Sequence, residues 1–181
     1  MRKVYAGLFS SLDGVVQAPN EWQPAFDEEM GAALSRMLDE QDAVLLGRVT
    51  FTEWAGYWPT STDEPFASWI NSTPKYVAST TLDSVDQWSN STLIKGSLAD
   101  FITDLRQQPG GTIGVGGSPS LVRSLFHQGL LDELTLMISP VVAGGDRKRL
   151  FADDAPQTRL ELVEAKPTSS GALIATYRPV R

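Results

Sequence analysis

The chain has 181 residues, 41% hydrophobic and 20% charged, which is typical of one globular domain with a sizeable core. Its net charge of −7 argues against a general nucleic-acid or membrane-surface binder, because both need a basic face. It has no cysteine and one histidine, His127, which excludes thiolate chemistry and makes a metal site unexpected. No signal peptide or membrane span is evident, so a cytoplasmic protein is expected.

The first half of the chain alternates apolar strands with amphipathic helices. A buried strand is predicted over Lys3 to Ser10, and the loop after it has the length of a functional loop. Asp27 to Gln41 is predicted to be a helix with an apolar stripe, formed by Met30, Ala33, Leu34, Met37 and Leu38. The elements predicted next are a strand at Ala43 to Leu46, a helix capped by Thr50, a helical turn at Phe66 to Asn71, and strands at Lys75 to Ser79 and Thr92 to Lys95.

The second half begins with a predicted helix at Leu98 to Gln107, followed by a strand, a glycine turn and a helix within Thr112 to Gly129. In that last helix Ser118 suits the N-cap, and Gly129 suits the position after the C-cap. Three strands follow, at Asp132 to Val142, Arg159 to Lys166 and Leu173 to Arg178, with a solvated turn at Asp153-Asp154. Alternating elements followed by a run of strands predict a single-domain α/β fold, with a mostly parallel mixed sheet and an antiparallel C-terminal end.

Polar or glycine-rich turns follow three of the predicted strands, at the ends where ligands collect in open α/β sheets. They contain Gly47, Arg48 and Thr50, then Ser79 and Thr80, and then Gly114, Gly116, Gly117 and Ser118. Helix N-termini and bare glycine N–H groups suit phosphates, and an arginine can bind a phosphate through two hydrogen bonds. Together the turns predict one extended ligand such as a dinucleotide, although any one of them can be an unliganded turn. The glycine turn is not the usual G-x-G-x-x-G motif, because Pro119 stands at its last position.

Hydride transfer suits this residue set, because it needs a cofactor, a shaped pocket and at most one proton donor. Asp13 and Asp27 are the candidate catalytic acids, with a turn and a helix cap as their alternative roles. Five aromatic residues could line a pocket for a flat heteroaromatic ring, or could instead belong to the core. They are Trp22, Phe51, Trp54, Tyr57 and Trp58. A serine hydrolase is not expected, because its nucleophile needs a base within hydrogen-bond reach. His127 lies roughly 13 Å from Ser118 along the same helix.

Five segments, in order, resemble the dihydrofolate-reductase-like superfamily, most closely the stand-alone relatives of the reductase domain of the riboflavin-biosynthesis deaminase-reductase. They are SLDG (11–14), LLGRVTFTEW (45–54), PKYVAST (74–80), VGGSPSLVRSLFHQGLLDEL (115–134) and PVVAGGDRKRLF (140–151). The resemblance implies a three-layer fold with helices on both faces of a central sheet, NADPH as the hydride donor, and a homodimer formed through Leu131 to Val142.

The resemblance also implies roles for the candidate residues. Gly47, Arg48 and Thr50 would lie beside the pyrophosphate and adenosine of NADPH, and Ser79 and Thr80 near its 2′-phosphate. Gly116 and Gly117 would contact the pyrophosphate through a cis peptide bond between them. Asp13 would border the substrate, and Asp27 would stand near the pterin-binding carboxylate of dihydrofolate reductases.

Two residues that riboflavin reductases usually carry are replaced in this chain. The lysine shortly before S-L-D-G is absent, since Phe9 and Ser10 precede it, and Val115 stands where a glutamate precedes the two glycines. The first hypothesis is an NADPH-dependent reductase of a small heteroaromatic substrate, resembling 5-amino-6-(5-phosphoribosylamino)uracil reductase. The alternatives are dihydrofolate reductase and a non-catalytic nucleotide- or flavin-binding module on the same fold.

Overall fold

The computed structural model describes residues 1–24, 26–151 and 155–180, so the predicted turn at Asp153-Asp154 lies outside the described residues. One sheet takes its strands from both halves of the chain: β1 (Val4–Ser10), β2 (Gln41–Gly47), β3 (Lys75–Ala78), β4 (Ser91–Leu93), β5 (Thr112–Gly117), β6 (Glu133–Ile138), β7 (Leu160–Pro167) and β8 (Leu173–Pro179). Their order is β4-β3-β2-β5-β1-β6-β8-β7. All pairings among the first six strands are parallel, and both pairings of β8 are antiparallel. This confirms the predicted sheet with its antiparallel end.

Helices cover both faces of the sheet, as predicted. They are α1 (Pro19–Trp22), α2 (Glu28–Glu40), α3 (Arg48–Ala55), α4 (Phe66–Ser72), α5 (Leu98–Gln107) and α6 (Pro119–His127), with a 3-10 turn at Trp58–Thr60. One apolar core lies between the sheet and helices α5 and α6. On the opposite face, which we call the α2–α3 face, α2 covers β1, β6 and β8, while α3 and α4 cover β2 and β3. No helix among the described residues is long and apolar enough to cross a membrane.

Alternation along the strands decides which residues reach each face. In β1, Val4 and Ala6 point into the α5–α6 core, whereas Gly7 contacts Met37 of α2 and Phe9 joins the cluster beneath α2. The six parallel strands end at one edge of the sheet, the carboxyl edge, where the predicted ligand turns lie.

Two sequence predictions about these elements were wrong. Thr50 does not cap its helix, because α3 begins at Arg48 with Gly47 as the N-cap residue. The strand predicted at Asp132 to Val142 is limited to Glu133–Ile138. Beyond it the chain turns towards the loop after β1, where the Leu12 N–H donates to the Val141 carbonyl at 2.7 Å.

The position of β6 restricts which residues of Leu131 to Val142 could form the predicted dimer interface. This strand is hydrogen-bonded to β1 on one side and to β8 on the other, so its backbone has no free edge. Leu131, Leu134 and Met137 are at most 1% exposed and therefore do not form a surface for a second copy. Val142, at the end of the segment, is 71% exposed, and a homodimer that uses this end or other residues stays a prediction.

Candidate functional site

Two helix N-termini meet at the carboxyl edge. Helix α3 follows Gly47 and helix α6 follows Ser118, and a β-carbon on Gly47 would lie 2.8 Å from Ser118 Oγ and 3.1 Å from Ser118 N. Glycine at position 47 therefore lets the two helix starts come this close without a shift of Ser118. Neither helix has a side-chain hydrogen bond at its N-cap. Two positive helix ends with uncapped N–H groups thus lie side by side, which suits a pyrophosphate.

The end of β5 is shaped by a register shift against β2. Leu45 pairs with Val115 and Leu46 with Gly117, so Gly116 is the extra residue of a bulge. Gly117 has φ +123°, and a β-carbon on it would lie 2.9 Å from Thr50 Oγ1. The cis peptide bond is between Gly117 and Ser118, one bond later than the resemblance implied. Thr50, Gly117 and Ser118 are thereby brought together beside Gly47.

Gly114 is the predicted cofactor residue that the structure sets apart from this group. It lies in the body of β5 rather than at the carboxyl edge, and a β-carbon on it would overlap Gln41 Oε1. Gly114 therefore makes room for a side chain of this protein, which is a sufficient reason for glycine at that position.

The polar residues at the ends of β2 and β3 face solvent. The Arg48 guanidinium is exposed and has no hydrogen-bond or ion-pair partner in residues 1–24, 26–151 and 155–180. Ser79 Oγ accepts hydrogen bonds from Thr81 N and Leu82 N, both at 3.1 Å, and Thr80 is exposed. Lys95 follows β4, which pairs with β3, so this exposed cation stands at the same edge as Ser79. Lys95 was not among the predicted site residues; its signal was a lysine at the last position of a predicted strand.

Asp13 holds together the loops that follow β1 and β6. Its carboxylate accepts hydrogen bonds from Ser11 Oγ (2.6 Å), Ala143 N (2.9 Å) and Gly144 N (3.1 Å), and it forms an ion pair with Arg149 (3.4 Å). The Ser11 hydrogen bond, followed by those from the backbone, lowers the pKa of Asp13 to about 2. Asp13 is therefore an anion at neutral pH, which argues against a role as proton donor.

We expect Asp13→Asn to lower the melting temperature at neutral pH, because its amide cannot accept all of these hydrogen bonds. The folded-state pKa of Asp13 is depressed below its ordinary value of 3.8, so its stabilising effect is present above that pH and is lost as the pH falls towards 2. The difference in melting temperature between wild type and variant should therefore narrow between pH 4 and pH 2, as measured by circular dichroism. The exposed Asp83, changed to Asn, is the control. A difference independent of pH would contradict this account.

Asp27 caps α2 and binds the turn between β7 and β8. Asp27 Oδ1 accepts a hydrogen bond from Met30 N at 2.8 Å, and Oδ2 accepts one from Ser170 Oγ at 2.6 Å. Hydrogen bonds from Ser170 and then Thr168 lower the pKa of Asp27 to about 2. Asp27 thus has the capping role that was the alternative reading of the sequence, and it too is charged at neutral pH. A contact of Asp13 or Asp27 with a substrate stays a prediction.

The aromatic residues predicted to wall a ring divide into core and surface. Phe51 is fully buried and stacks on Trp88, so it belongs to the core beneath α3. Trp54, Tyr57 and Trp58 form a connected group, with ring centroids 6.1 Å apart for Trp54–Trp58 and 4.9 Å for Tyr57–Trp58. Trp22 is half-buried on α1 and donates a hydrogen bond to the Gln17 carbonyl at 2.9 Å.

Two cavities lie away from this edge. One, of about 580 Å³, is lined by Arg2 and Arg106 at the opposite end of the strands. The other, of about 370 Å³, lies beside the second half of α2 over Tyr5 and Thr135. Burial of Tyr5 raises the pKa of its phenol to about 12, so it stays protonated. Neither cavity contains any of the candidate cofactor residues.

Comparison with known proteins gives a consistent result over nearly the whole chain. The sequence model described as "RibD C-terminal domain" matches residues 2–174. A Bacillus subtilis (strain 168) protein named "Uncharacterized protein YyaP" is 30% identical over 183 residues, covering 97% of this chain and 94% of the relative.

Solved structures of low sequence identity share the fold. A putative riboflavin biosynthesis protein from Shewanella sp. PV-4 has a TM-score of 0.79 at 20% identity, with 99% of both chains covered. The bifunctional deaminase and 5-amino-6-(5-phosphoribosylamino)uracil reductase from Thermotoga maritima has a TM-score of 0.70 at 14% identity, covering 99% of this chain and 57% of that one. Dihydrofolate reductase from Enterococcus faecalis, complexed with NADP(H), has a TM-score of 0.66 at 16% identity, covering 99% and 97%. The fold is therefore dihydrofolate-reductase-like.

Proposed function

Because this chain belongs to the RibD C-terminal domain family, we propose that it is an NADPH-dependent reductase of a small heteroaromatic substrate. The observation that carries the proposal is the meeting of the α3 and α6 N-termini beside Arg48, which has no partner among the residues that the structure describes. A ligand with a pyrophosphate and a further phosphate matches that arrangement of N–H groups and positive charge.

The residues at the carboxyl edge fit such a cofactor. The N–H groups at the starts of α3 and α6 would hold its pyrophosphate, with Arg48 as the counter-charge. Ser79, Thr80 and Lys95 would receive the 2′-phosphate at the ends of β3 and β4. Bound NADPH supplies a hydride, so the protein needs no nucleophile of its own.

In the proposed enzyme, the carboxylates of Asp13 and Asp27 hold in place the segments that border the substrate. Asp13 joins the loops after β1 and β6, and Asp27 joins α2 to the β7–β8 turn. The pKa of each carboxyl is lowered to about 2, so neither is protonated at neutral pH and neither is proposed as the proton donor. The proposed enzyme therefore works by orienting substrate and cofactor rather than by acid catalysis from these groups.

A thermal-shift comparison with NADPH, NADH and FMN tests the proposal. At a ligand concentration of 100 times the dissociation constant, binding adds about 2.7 kcal/mol to the free energy of unfolding. For a chain of this size that corresponds to a rise in melting temperature of roughly 5–10 °C. We expect NADPH to stabilise more than NADH, because of its 2′-phosphate. No shift with either nicotinamide cofactor would reject the reductase, and stabilisation by FMN alone would favour the flavin-binding module.

A further inference from the structure

We propose that the cavity of about 370 Å³ beside the second half of α2 is a second binding site, which takes an α-amino acid with an apolar side chain. The inference is separate from the proposed reductase function, because none of the candidate cofactor residues lines this cavity. It is drawn from a floor of hydroxyl groups, two lining charges of opposite sign that have no partner among the described residues, and apolar side chains beside them.

The floor of the cavity is formed by hydroxyl-bearing residues on the α2–α3 face of the sheet. Tyr5 of β1, Thr135 of β6 and Thr176 of β8 line it. At the neighbouring positions on the same face, β6 and β8 carry Met137 and Ile174, which belong to the apolar cluster beneath α2. Thr135 is only 3% exposed, so these hydroxyl groups lie below the surface rather than on an open sheet.

The hydroxyl groups of the floor leave one proton for a ligand. Thr135 Oγ1 and Thr176 Oγ1 share a hydrogen bond of 2.6 Å, and the side chain of Thr135 is also hydrogen-bonded to Tyr5. Burial, with the charges of Glu133 and Glu40, raises the pKa of Tyr5 to about 12, so its hydroxyl stays protonated at neutral pH. Three protons serve two hydrogen bonds, and the remaining one can be donated to an acceptor in the cavity, such as a carboxylate.

Charged residues of both signs surround this floor, and several are already paired. Glu133 forms ion pairs with Lys3 at 2.7 Å and with Arg178 at 3.3 Å. Glu164, on the β7 side of the cavity, forms an ion pair with Lys166 at 2.6 Å. These carboxylates therefore have their counter-charges within the protein, and a ligand has to be recognised by the charges that remain.

Two lining charges remain, Arg36 and Glu40, which form no ion pair or hydrogen bond in the part of the chain that the structure describes. They lie one turn apart on α2, in the order that is less favourable for pairing within a helix. Both charges act across the cavity. After the hydrogen bond and charge of Lys166, that of Arg36 also lowers the pKa of Glu164, while Glu40 helps to raise the pKa of Tyr5. A ligand with a single charge would leave one of the two groups without a partner, whereas a zwitterion satisfies both.

Apolar side chains line the cavity beside these charges: Ala33 and Met37 on α2, Val163 on β7 and Ile174 on β8. Ala33 is 5% exposed and Val163 is 47% exposed, so the apolar lining runs from beneath α2 to the outer strand of the sheet. An apolar ligand side chain placed against this lining is removed from water, which favours binding. The volume of about 370 Å³ lies within the range of small-molecule sites, roughly 300–1,000 Å³.

Calorimetric titration of the full chain with leucine, 4-methylpentanoate and 3-methylbutylamine tests the inference. The three compounds share one apolar chain, but the second lacks the ammonium group of leucine and the third lacks its carboxylate. We expect leucine to bind about tenfold more tightly than either analogue, or better, because each analogue loses a charge-assisted hydrogen bond. Methionine and phenylalanine are titrated in the same way, to cover larger apolar side chains.

Variants of the two lining charges assign the contacts. In Glu40→Gln the advantage of leucine over 4-methylpentanoate should disappear, and in Arg36→Gln its advantage over 3-methylbutylamine should disappear. Asp39→Asn is the matched control, because it removes the same charge from an exposed neighbour outside the cavity lining, and it should leave every dissociation constant unchanged.

Three results would overturn the inference. They are no binding of any of the three amino acids at millimolar concentration, equal affinity of the wild type for leucine and either analogue, and an equal loss of affinity in Asp39→Asn. Because all titrations are made without NADPH, a failure of the proposed reductase function leaves each of these outcomes as it is.

Discussion

Replacing Gly47 by alanine should lower the affinity for NADPH, by less than the roughly 100-fold loss produced by misplacing a binding group by about 1 Å. The added β-carbon would lie 2.8 Å from Ser118 Oγ and 3.1 Å from the Ser118 backbone nitrogen, so Ser118 would have to shift by a few tenths of an ångström. A serine hydroxyl can rotate away, but the backbone nitrogen moves only with the start of α6. The substitution therefore separates the two helix N-termini whose meeting carries the proposed function.

Backbone strain does not complicate this prediction. Gly47 has φ −79°, a value that alanine adopts freely, so the effect comes from lack of space alone. The measurement is the NADPH dissociation constant by calorimetry, with circular dichroism to verify the fold. If the folded variant binds NADPH as tightly as the wild type, the contact between Gly47 and Ser118 is not part of the cofactor site.

Gly31→Ala is the matched control for Gly47→Ala. Gly31 lies within α2, and a β-carbon there would meet its nearest neighbour, Phe26 Cε1, at an ordinary 3.5 Å. Alanine in a helix interior is more favourable than glycine by roughly 0.5–1 kcal/mol, so this variant should be slightly more stable. Its NADPH dissociation constant should not change.

Arg48→Ala should weaken NADPH binding by roughly 10- to 100-fold, because a charge-assisted hydrogen bond contributes about 1.5–3 kcal/mol. The guanidinium has no partner within the described residues, so its removal should leave the melting temperature of the free protein unchanged. Loss of affinity without loss of stability is the signature of a binding residue. Unchanged affinity for NADPH would show that Arg48 is a surface residue that does not contact the cofactor.

Two further measurements sharpen the role of Arg48. Arg48→Lys should restore only part of the affinity, because an ammonium cannot make the paired hydrogen bonds of a guanidinium. If Arg48 binds the pyrophosphate, the variants lose affinity for NADPH and NADH equally; if it binds the 2′-phosphate, they lose it for NADPH alone. Arg36→Ala is the control, because Arg36 lines the 370 Å³ cavity beside α2. It should leave both affinities unchanged.

The sequence by itself determined most of the elements and the three turns at the carboxyl edge where the cofactor is proposed to bind. The helix predicted at Leu98 to Gln107 has those bounds in the structure. Ser118 is the N-cap residue of α6 and Gly129 follows its C-cap, as predicted. These features are encoded locally, by apolar spacing of 3.6 residues and by the backbone preferences of a few residues. The alternation of strands and helices was enough to predict the sheet and the edge at which its turns meet.

Tertiary structure alone decided how those turns contact one another and what the two acids do. Asp13 binds a backbone N–H 130 residues away and Asp27 binds a hydroxyl 143 residues away, so no local pattern distinguishes a proton donor from an anchor. Gly114 makes room for the side chain of Gln41, which is 73 positions earlier and on a different strand. Gly47 makes room for Ser118, which packs against it. Whether a glycine or a carboxylate serves a ligand or the fold depends on which distant residue packs against it, and that neighbour is set by strand order.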